Sequence, residues 1–274
     1  MDIIQIYNEW IDLKQDINTR KRYLGYERYY SASSAGSCFK KQAFKKYNID
    51  GTPMEERVKR LLRFGTILHS DFEQALKHHY LNNIESQHKY ILFIEREVIS
   101  ESLNVRGHLD FAYIEKEAGL CKIIDLKSCP AYKWSKKFGR NKDKNPSFKY
   151  KMQVGTYATA LSDAYSGLIV ETELSLLWYN KDNSRMREEL IPAGEFMTKA
   201  TEYWNELNDI IKDNDLNNLD HLIPVKNGSG LKELPYRNQE SEIVERINEI
   251  PRDSYGTPFE GWECNYCQWE SICK

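Results

Sequence analysis

The spacing of apolar and polar positions changes twice along the chain. From Glu55 to Tyr80, residues Val58, Leu61, Leu62, Leu68, Phe72 and Leu76 recur three or four apart, which predicts a helix with one apolar face. Gly65 interrupts that pattern and marks a candidate break or tight packing point. Upstream, residues 1–30 read as an amphipathic helical lead-in. The small residues of SASSAGSCFKKQAF then read as a loop turning into a helix that carries Cys38. Next the period shortens. KYILFIEREVI, NVRGHLDFAYI and GLCKIIDLKSC are rich in β-branched and aromatic residues and separated by turn-like pieces, so they read as three consecutive strands. Residues 148–166 return to helical spacing, and ETELSLLWYN and SRMREELIP form a strand pair across the polar turn KDN. A further helix is expected from about Glu195 to Lys212, and a Gly- and Pro-punctuated surface loop over residues 221–237.

This succession predicts an α/β fold with a mixed central sheet flanked by helices. It divides into an N-terminal helical region (1–57), a core (58–215) and a C-terminal loop with a cysteine-rich end (216–274). Eighteen tyrosines and six tryptophans are more than a disordered chain would carry. A net charge of -2 excludes a global field for nucleic acid, so any such binding must come from a local cluster of Lys and Arg. The N-terminus lacks a secretory pattern, and no apolar run approaches the roughly 20 residues of a membrane span. A cytoplasmic protein is expected, in which cysteines serve as ligands or core residues rather than disulfides.

Two strands each deliver an acid near the end of an apolar run: Asp110 in GHLDF and Asp125 in IIDLKS. Side chains two apart on a strand share a face, so Asp125 and Lys127 point the same way while Leu126 faces the core. If the strands are neighbours, two carboxylates and an ammonium converge. Mutual repulsion of the carboxylates is relieved by a hard cation such as Mg²⁺ or Mn²⁺, and such a site can hydrolyse a phosphodiester with a metal-activated water. Glu97 in IEREV reads as an ordinary strand charge.

These pieces resemble the RecB-type branch of the PD-(D/E)xK nucleases. GHLD, a following strand, IIDLKS, the upstream FGTILH and the downstream KMQVGTYA occur in that branch's order across roughly residues 30–180. The resemblance implies metal-dependent DNA cleavage, with Asp110, Asp125 and Lys127 catalytic. It also implies one metal held by His69, Asp110, Asp125 and the Leu126 carbonyl, with room for a second. Gln153 and Tyr157 match the branch's Q-x-x-x-Y signature, which contacts DNA or braces the site. Many relatives carry Glu where this chain has the shorter Asp125, which would shift the metal.

Cys264, Cys267 and Cys273 form C-x₂-C-x₅-C, three of the four thiolates that a tetrahedral zinc site or a cubane cluster needs. Cys38 is the best fourth, since Cys121 and Cys129 lie in or beside the catalytic strand and read as buried small hydrophobes. One distant cysteine plus a C-terminal trio resembles the iron–sulfur nucleases of the same branch, including the AddB nuclease domain, the CRISPR-associated spacer-trimming exonucleases and phage-encoded relatives. That resemblance implies a [4Fe–4S] cluster joining the two chain ends.

Between residues 130 and 151, Lys133, Lys136, Lys137, Arg140, Lys142, Lys144, Lys149 and Lys151 stand against a single acid, Asp143, with Trp134, Phe138, Phe148 and Tyr150 interleaved. Cations that neutralise phosphate and rings that stack on bases suit single-stranded or frayed DNA, with Lys133, Trp134, Lys136, Lys137, Arg140 and Lys142 as candidate contacts. KKQAFKK beside Cys38 could extend the patch. The expected function is single-strand DNA exonuclease, alone, as a homo-oligomer or with a CRISPR or recombination partner. Two alternatives stay open: a non-catalytic DNA-binding or assembly subunit, and an RNA endonuclease on the same scaffold.

Overall fold

The computed structural model describes residues 2–23, 29–47, 49–140, 147–165, 167–214, 216, 237–252 and 261–273. Its elements run α1 (Ile3–Tyr23), β1 (Tyr30–Ser31), a 3-10 turn (Ala32–Ser34), α2 (Phe39–Lys46), α3 (Glu56–Asn82), α4 (Ile84–Lys89), β2 (Tyr90–Ser100), β3 (Val105–Glu115) and β4 (Leu120–Cys129). They continue with α5 (Ala131–Phe138), α6 (Phe148–Ala164), β5 (Ile169–Val170), β6 (Glu173–Asn180), β7 (Met186–Pro192), α7 (Ala193–Asp213), α8 (Arg237–Glu249) and a 3-10 turn at Gly261–Tyr266. The fold is α/β, and its sheet is mixed as expected. The strand order is β1-β3-β4-β6-β7, with β2 paired to β3 and β5 to β4. Pairs β2/β3, β3/β4 and β6/β7 are antiparallel, whereas β4/β6 and β4/β5 are parallel.

The chain forms two compact units: residues 31–36 with 65–204, and residues 1–30, 37–64 and 205–274. The first contains the sheet and α6. Strand β4 is central, and its alternate residues Cys121, Ile123 and Asp125 are buried together with Leu126, so both faces of its lower half are covered. Helix α6 is buried along most of its length, from Met152 to Leu161. Trp204 is fully buried and donates its indole N–H to Thr156 Oγ1 at 2.9 Å, satisfying the one polar atom of a large core ring.

The second unit ties early and late segments together. Phe39 N–H donates to Arg252 O (2.9 Å), Thr52 N–H to Gln268 O (2.6 Å), and the Trp269 indole to Ile49 O (2.8 Å). The Tyr47 hydroxyl donates to Leu216 O at 2.8 Å, and the Trp269 ring stacks on Phe44.

Several expectations change. Helix α3 is continuous through Gly65, which has nothing within 4 Å of a would-be Cβ, so it is neither a break nor a packing point. The periodic apolar residues of α3 are there, but none is fully buried; Val58, Leu61 and Leu62 are exposed. Helix α5 occupies a stretch read only as a basic segment, and α8 begins at Arg237, where the expected loop ends. The remainder of that loop lies outside the described residues. No helix among the described residues is long and apolar enough to cross a membrane.

Glycines at two helical positions give opposite expectations for one substitution. A Cβ on Gly155 in α6 would meet the Phe196 carbonyl oxygen at 2.3 Å and its carbon at 2.7 Å, so Gly155→Ala should destabilise by roughly 1–3 kcal/mol through forced displacement of α7. Gly65→Ala, in open space within a helix, should stabilise by about 1 kcal/mol. Urea-denaturation midpoints of the two variants read both signs.

Candidate active site

The site is built where β3 and β4 part. Their ladder runs from Glu115↔Leu120 to Phe111↔Ile124 and the next pair in register would be Asp110 and Asp125. There the Asp110 side chain replaces a ladder partner, and its Oδ2 accepts the Leu126 N–H at 2.7 Å. From Ile124 onward β4 pairs instead with β6, from Ile124↔Ser175 to Cys129↔Asn180. The two acids are thus delivered side by side from strand geometry alone.

Around Asp110 a second group gathers. His69, at the midpoint of α3, places Nδ1 3.3 Å from Asp110 Oδ1 and 4.0 Å from Glu95 Oε1. Ligand atoms of His69, Glu95 and Asp110 all lie within 4.8 Å of one another, close enough to share one cation. Glu95 was not among the sequence candidates. It falls between the pairs Ile94↔Phe111 and Arg96↔Leu109, across from Asp110, and takes a left-handed φ of 47°. A non-glycine residue pays roughly 1–2 kcal/mol for that conformation, so the surroundings must hold it there. The signal was available in the β2/β3 hairpin register, which sets Glu95 rather than Glu97 opposite Asp110. Glu97 instead pairs with Arg106 at 2.6 Å and lies 3.7 Å from His108.

Asp125 is 1% exposed, with Oδ2 2.6 Å from Lys127 Nζ and Oδ1 accepting from Gln153 Nε2 at 3.1 Å. The same Gln153 nitrogen reaches the Tyr157 hydroxyl at 3.0 Å. Lys127 is the partner of that buried Oδ2, in a short ion contact that falls outside strict hydrogen-bond angles. The imidazole and carboxylates gathered at His69, Glu95 and Asp110 suit a hard divalent ion. Leu126, whose carbonyl the resemblance made a ligand, is fully buried, next to Asp125 in β4.

Burial pushes the Asp125 carboxyl up to about 7, with Asp110 adding to the shift and the Lys127 ammonium opposing it. Lys127 is also desolvated, but the charges of Asp125 and Asp110 outweigh that and hold its ammonium above the ordinary value. Burial likewise opposes a charged His69, yet its hydrogen bond to Asp110 and that residue's charge raise it. Glu95 is raised by burial and by Asp110. Asp125, His69 and Glu95 therefore each hold a proton more tightly than the free side chain does.

The basic segment divides. Lys133, Lys136 and Arg140 are exposed on or just after α5. Lys137 is a correction: it turns inward, with Nζ 2.5 Å from both Glu189 Oε2 and Ser147 Oγ and 4.4 Å from the Trp178 ring centroid. Burial there lowers its pKa despite Glu189. Trp134 is half-buried against Phe138, with centroids 4.7 Å apart. Both rings belong to the packed side of α5, while Tyr132, absent from the candidates, is 62% exposed. Lys142 lies outside the described residues. Lys40 of KKQAFKK is buried and donates to Asn248 O at 2.7 Å, so it does not extend a surface patch.

Cys38 caps the N-terminus of α2 in the second unit. Its thiol is raised by burial and feels Cys273 and Cys267, while Cys273, raised by burial too, feels Cys267 and Cys264. Successive turns, Cys267 N–H to Cys264 O and Cys273 N–H to Trp269 O, both 2.9 Å, fold the trio back on itself. Cys121 and Cys129 are buried in β4, and burial takes the Cys121 thiol to about 12.

The chain belongs to the PD-(D/E)XK nuclease superfamily, whose family model matches residues 78–274. That range contains Asp110, Asp125, Lys127, Gln153, Tyr157 and the C-terminal cysteines; His69 and Cys38 precede it. Among solved structures, the crystal structure of SSO0001 is similar at 16% identity and a TM-score of 0.48, over 97% of this chain and 94% of that one. No curated protein matches.

Were Asp125 and His69 to ligate a cation, they would have to give up protons that their surroundings hold more tightly than water does, so Mn²⁺ affinity should rise with pH through about 7, as read by calorimetric titration. The sign for stability runs the other way without metal. Between the ordinary carboxylate range near 4 and about 7, folded Asp125 binds more protons than unfolded, so this group's contribution to stability falls as pH rises.

Proposed function

We propose that this chain is a divalent-metal-dependent deoxyribonuclease acting on single-stranded or frayed DNA ends, with Asp110, Asp125 and Lys127 as its catalytic core. The observation that carries the reading is the gathering of His69, Glu95 and Asp110 ligand atoms within 4.8 Å of one another, beside a buried Asp125 whose Oδ2 meets Lys127 at 2.6 Å. In this reading His69, Asp110, Asp125 and the Leu126 carbonyl hold Mn²⁺ or Mg²⁺, with Glu95 as an added ligand. Bound there, the ion supplies Lewis acidity toward a phosphoryl oxygen and acidifies a coordinated water.

The protein's own groups set the rest. Lys127 orients the attacking water and offsets charge that develops on the phosphoryl oxygens. Gln153 fixes the Asp125 carboxylate through Oδ1 and is itself held by Tyr157, whose ring lies close beneath Gly107. The exposed cations Lys133, Lys136 and Arg140 are suited to neutralise backbone phosphates.

The same proposal assigns a [4Fe–4S] cluster to Cys38, Cys264, Cys267 and Cys273. Cys38 feels Cys267 and Cys273, and Cys273 feels Cys264, in segments already tied by the Trp269 and Phe39 hydrogen bonds; four thiols are the donor set such a cluster uses. Its role is structural, closing a unit made from both ends of the chain.

End-labelled single strands with Mn²⁺ test the activity. Asp110→Asn, Asp125→Asn and Lys127→Ala should each lower cleavage by roughly 10²–10⁴-fold while DNA binding largely survives. Cleavage unaffected by all three would leave a DNA-binding subunit, and preference for RNA over matched DNA would make the substrate RNA. Anaerobically purified protein should be brown and contain iron and sulfide, with the colour lost in Cys267→Ser. A colourless, zinc-loaded protein would overturn the cluster and not the nuclease.

A further inference from the structure

Tyr150 opens α6, 39% exposed, with its ring centroid 5.0 Å from Lys127 Nζ. One edge is braced by Trp178, centroids 5.6 Å apart at 70°. Trp178 in turn is fixed by its indole hydrogen bond to Glu189 at 3.0 Å and by the Lys137 ammonium over its ring. The other aromatic residues of the segment are differently used: Trp134 and Phe138 pack on each other, and Phe148 packs on Phe196. Tyr150 thus combines a braced ring, substantial exposure and direct contact with the ammonium of the site.

We propose that Tyr150 is a specificity-determining residue: a platform on which an unpaired base next to the scissile phosphate stacks, beside Lys127. This rests on the nuclease reading of the same site. The physical logic is that a strand whose phosphate lies against Lys127 brings a neighbouring nucleotide within reach of the ring. A base paired in a duplex is held in its own stack and cannot meet that ring without unpairing, so the platform favours single strands. Bracing by Trp178 fixes the ring before substrate arrives, which limits the ordering cost of the stack.

Two measurements on the holoprotein test this. Cleavage in Mn²⁺ is followed on single strands carrying one abasic nucleotide at successive positions. Binding is followed separately, in Ca²⁺, by quenching of 2-aminopurine placed at those positions. At one position the abasic substitution should lower wild-type kcat/KM by roughly 5- to 100-fold. Tyr150→Ala should lose a similar factor on the intact strand and little more on the abasic one, and Tyr150→Phe should restore most of the loss. Quenching at that position should occur with wild type and Tyr150→Phe and vanish with Tyr150→Ala.

Tyr150→Phe as impaired as Tyr150→Ala would assign the role to the hydroxyl and overturn the platform. So would a Tyr150→Ala defect equal on intact and abasic strands with quenching intact, since that is the mark of a residue that only positions Lys127. If wild type cuts nothing, the nuclease reading fails, yet quenching still decides whether the ring meets a base.

Discussion

The parting of β3 from β4 is the constraint on which the site depends. A sheet saturates its backbone donors through ladders, and a ladder that stops in the interior leaves an N–H that must find another acceptor. At Leu126 that acceptor is Asp110 Oδ2. One carboxylate therefore does two things: it closes the backbone gap, and by doing so it fixes its own second oxygen toward His69. Asp125 and Lys127 follow without further provision, because β4 continues in register with β6 and its alternation sends both side chains to one face.

The first unit holds this geometry from behind. Gln153 can reach Asp125 only because α6 lies close over the sheet, and that closeness is set by two glycines. Gly107 leaves room for the Tyr157 ring, 2.9 Å from a would-be Cβ, and Gly155 lets α7 approach within 2.3 Å of the same kind of position. Sheet, helix and helix are stacked more tightly than ordinary side chains would allow. The polar chain Tyr157–Gln153–Asp125 is then rigid in a buried setting, where each hydrogen bond is stronger and each omission more costly than at the surface.

Much of this was legible in the residues. Period-two runs located β2, β3, β4, β6 and β7, and the Asp125–Lys127 spacing alone put both groups on one face. Other features depended on facts that a one-dimensional pattern does not carry. Glu95 and Glu97 have the same parity on β2, so only pairing with β3, and the left-handed turn at Glu95, separates a site residue from a surface ion pair. Lys137 looked like its neighbours because composition counts charge and ignores direction; on α5 it shares a side with Trp134 and Phe138, and the half-buried Glu189 of β7 lies far away in sequence. The apolar stripe of α3 had the right period for burial, but periodicity reports a face and not what covers it.

Energetics argue that the Asp125–Lys127–Gln153 cluster exists for something other than stability. Desolvating a carboxylate and an ammonium costs several kcal/mol each, and well-packed apolar replacements of a buried pair are often neutral or stabilising. Within this cluster Asp125 Oδ2 has the Lys127 ammonium at 2.6 Å, outside strict hydrogen-bond angles. The strain shows in the carboxyl itself, which burial carries to about 7 against the pull of a cation 2.6 Å away. A fold selected for packing alone would replace such a group. A buried carboxylate kept beside a trapped ammonium, with His69, Glu95 and Asp110 gathered within 4.8 Å of one another nearby, is the arrangement that the proposed cation site would use.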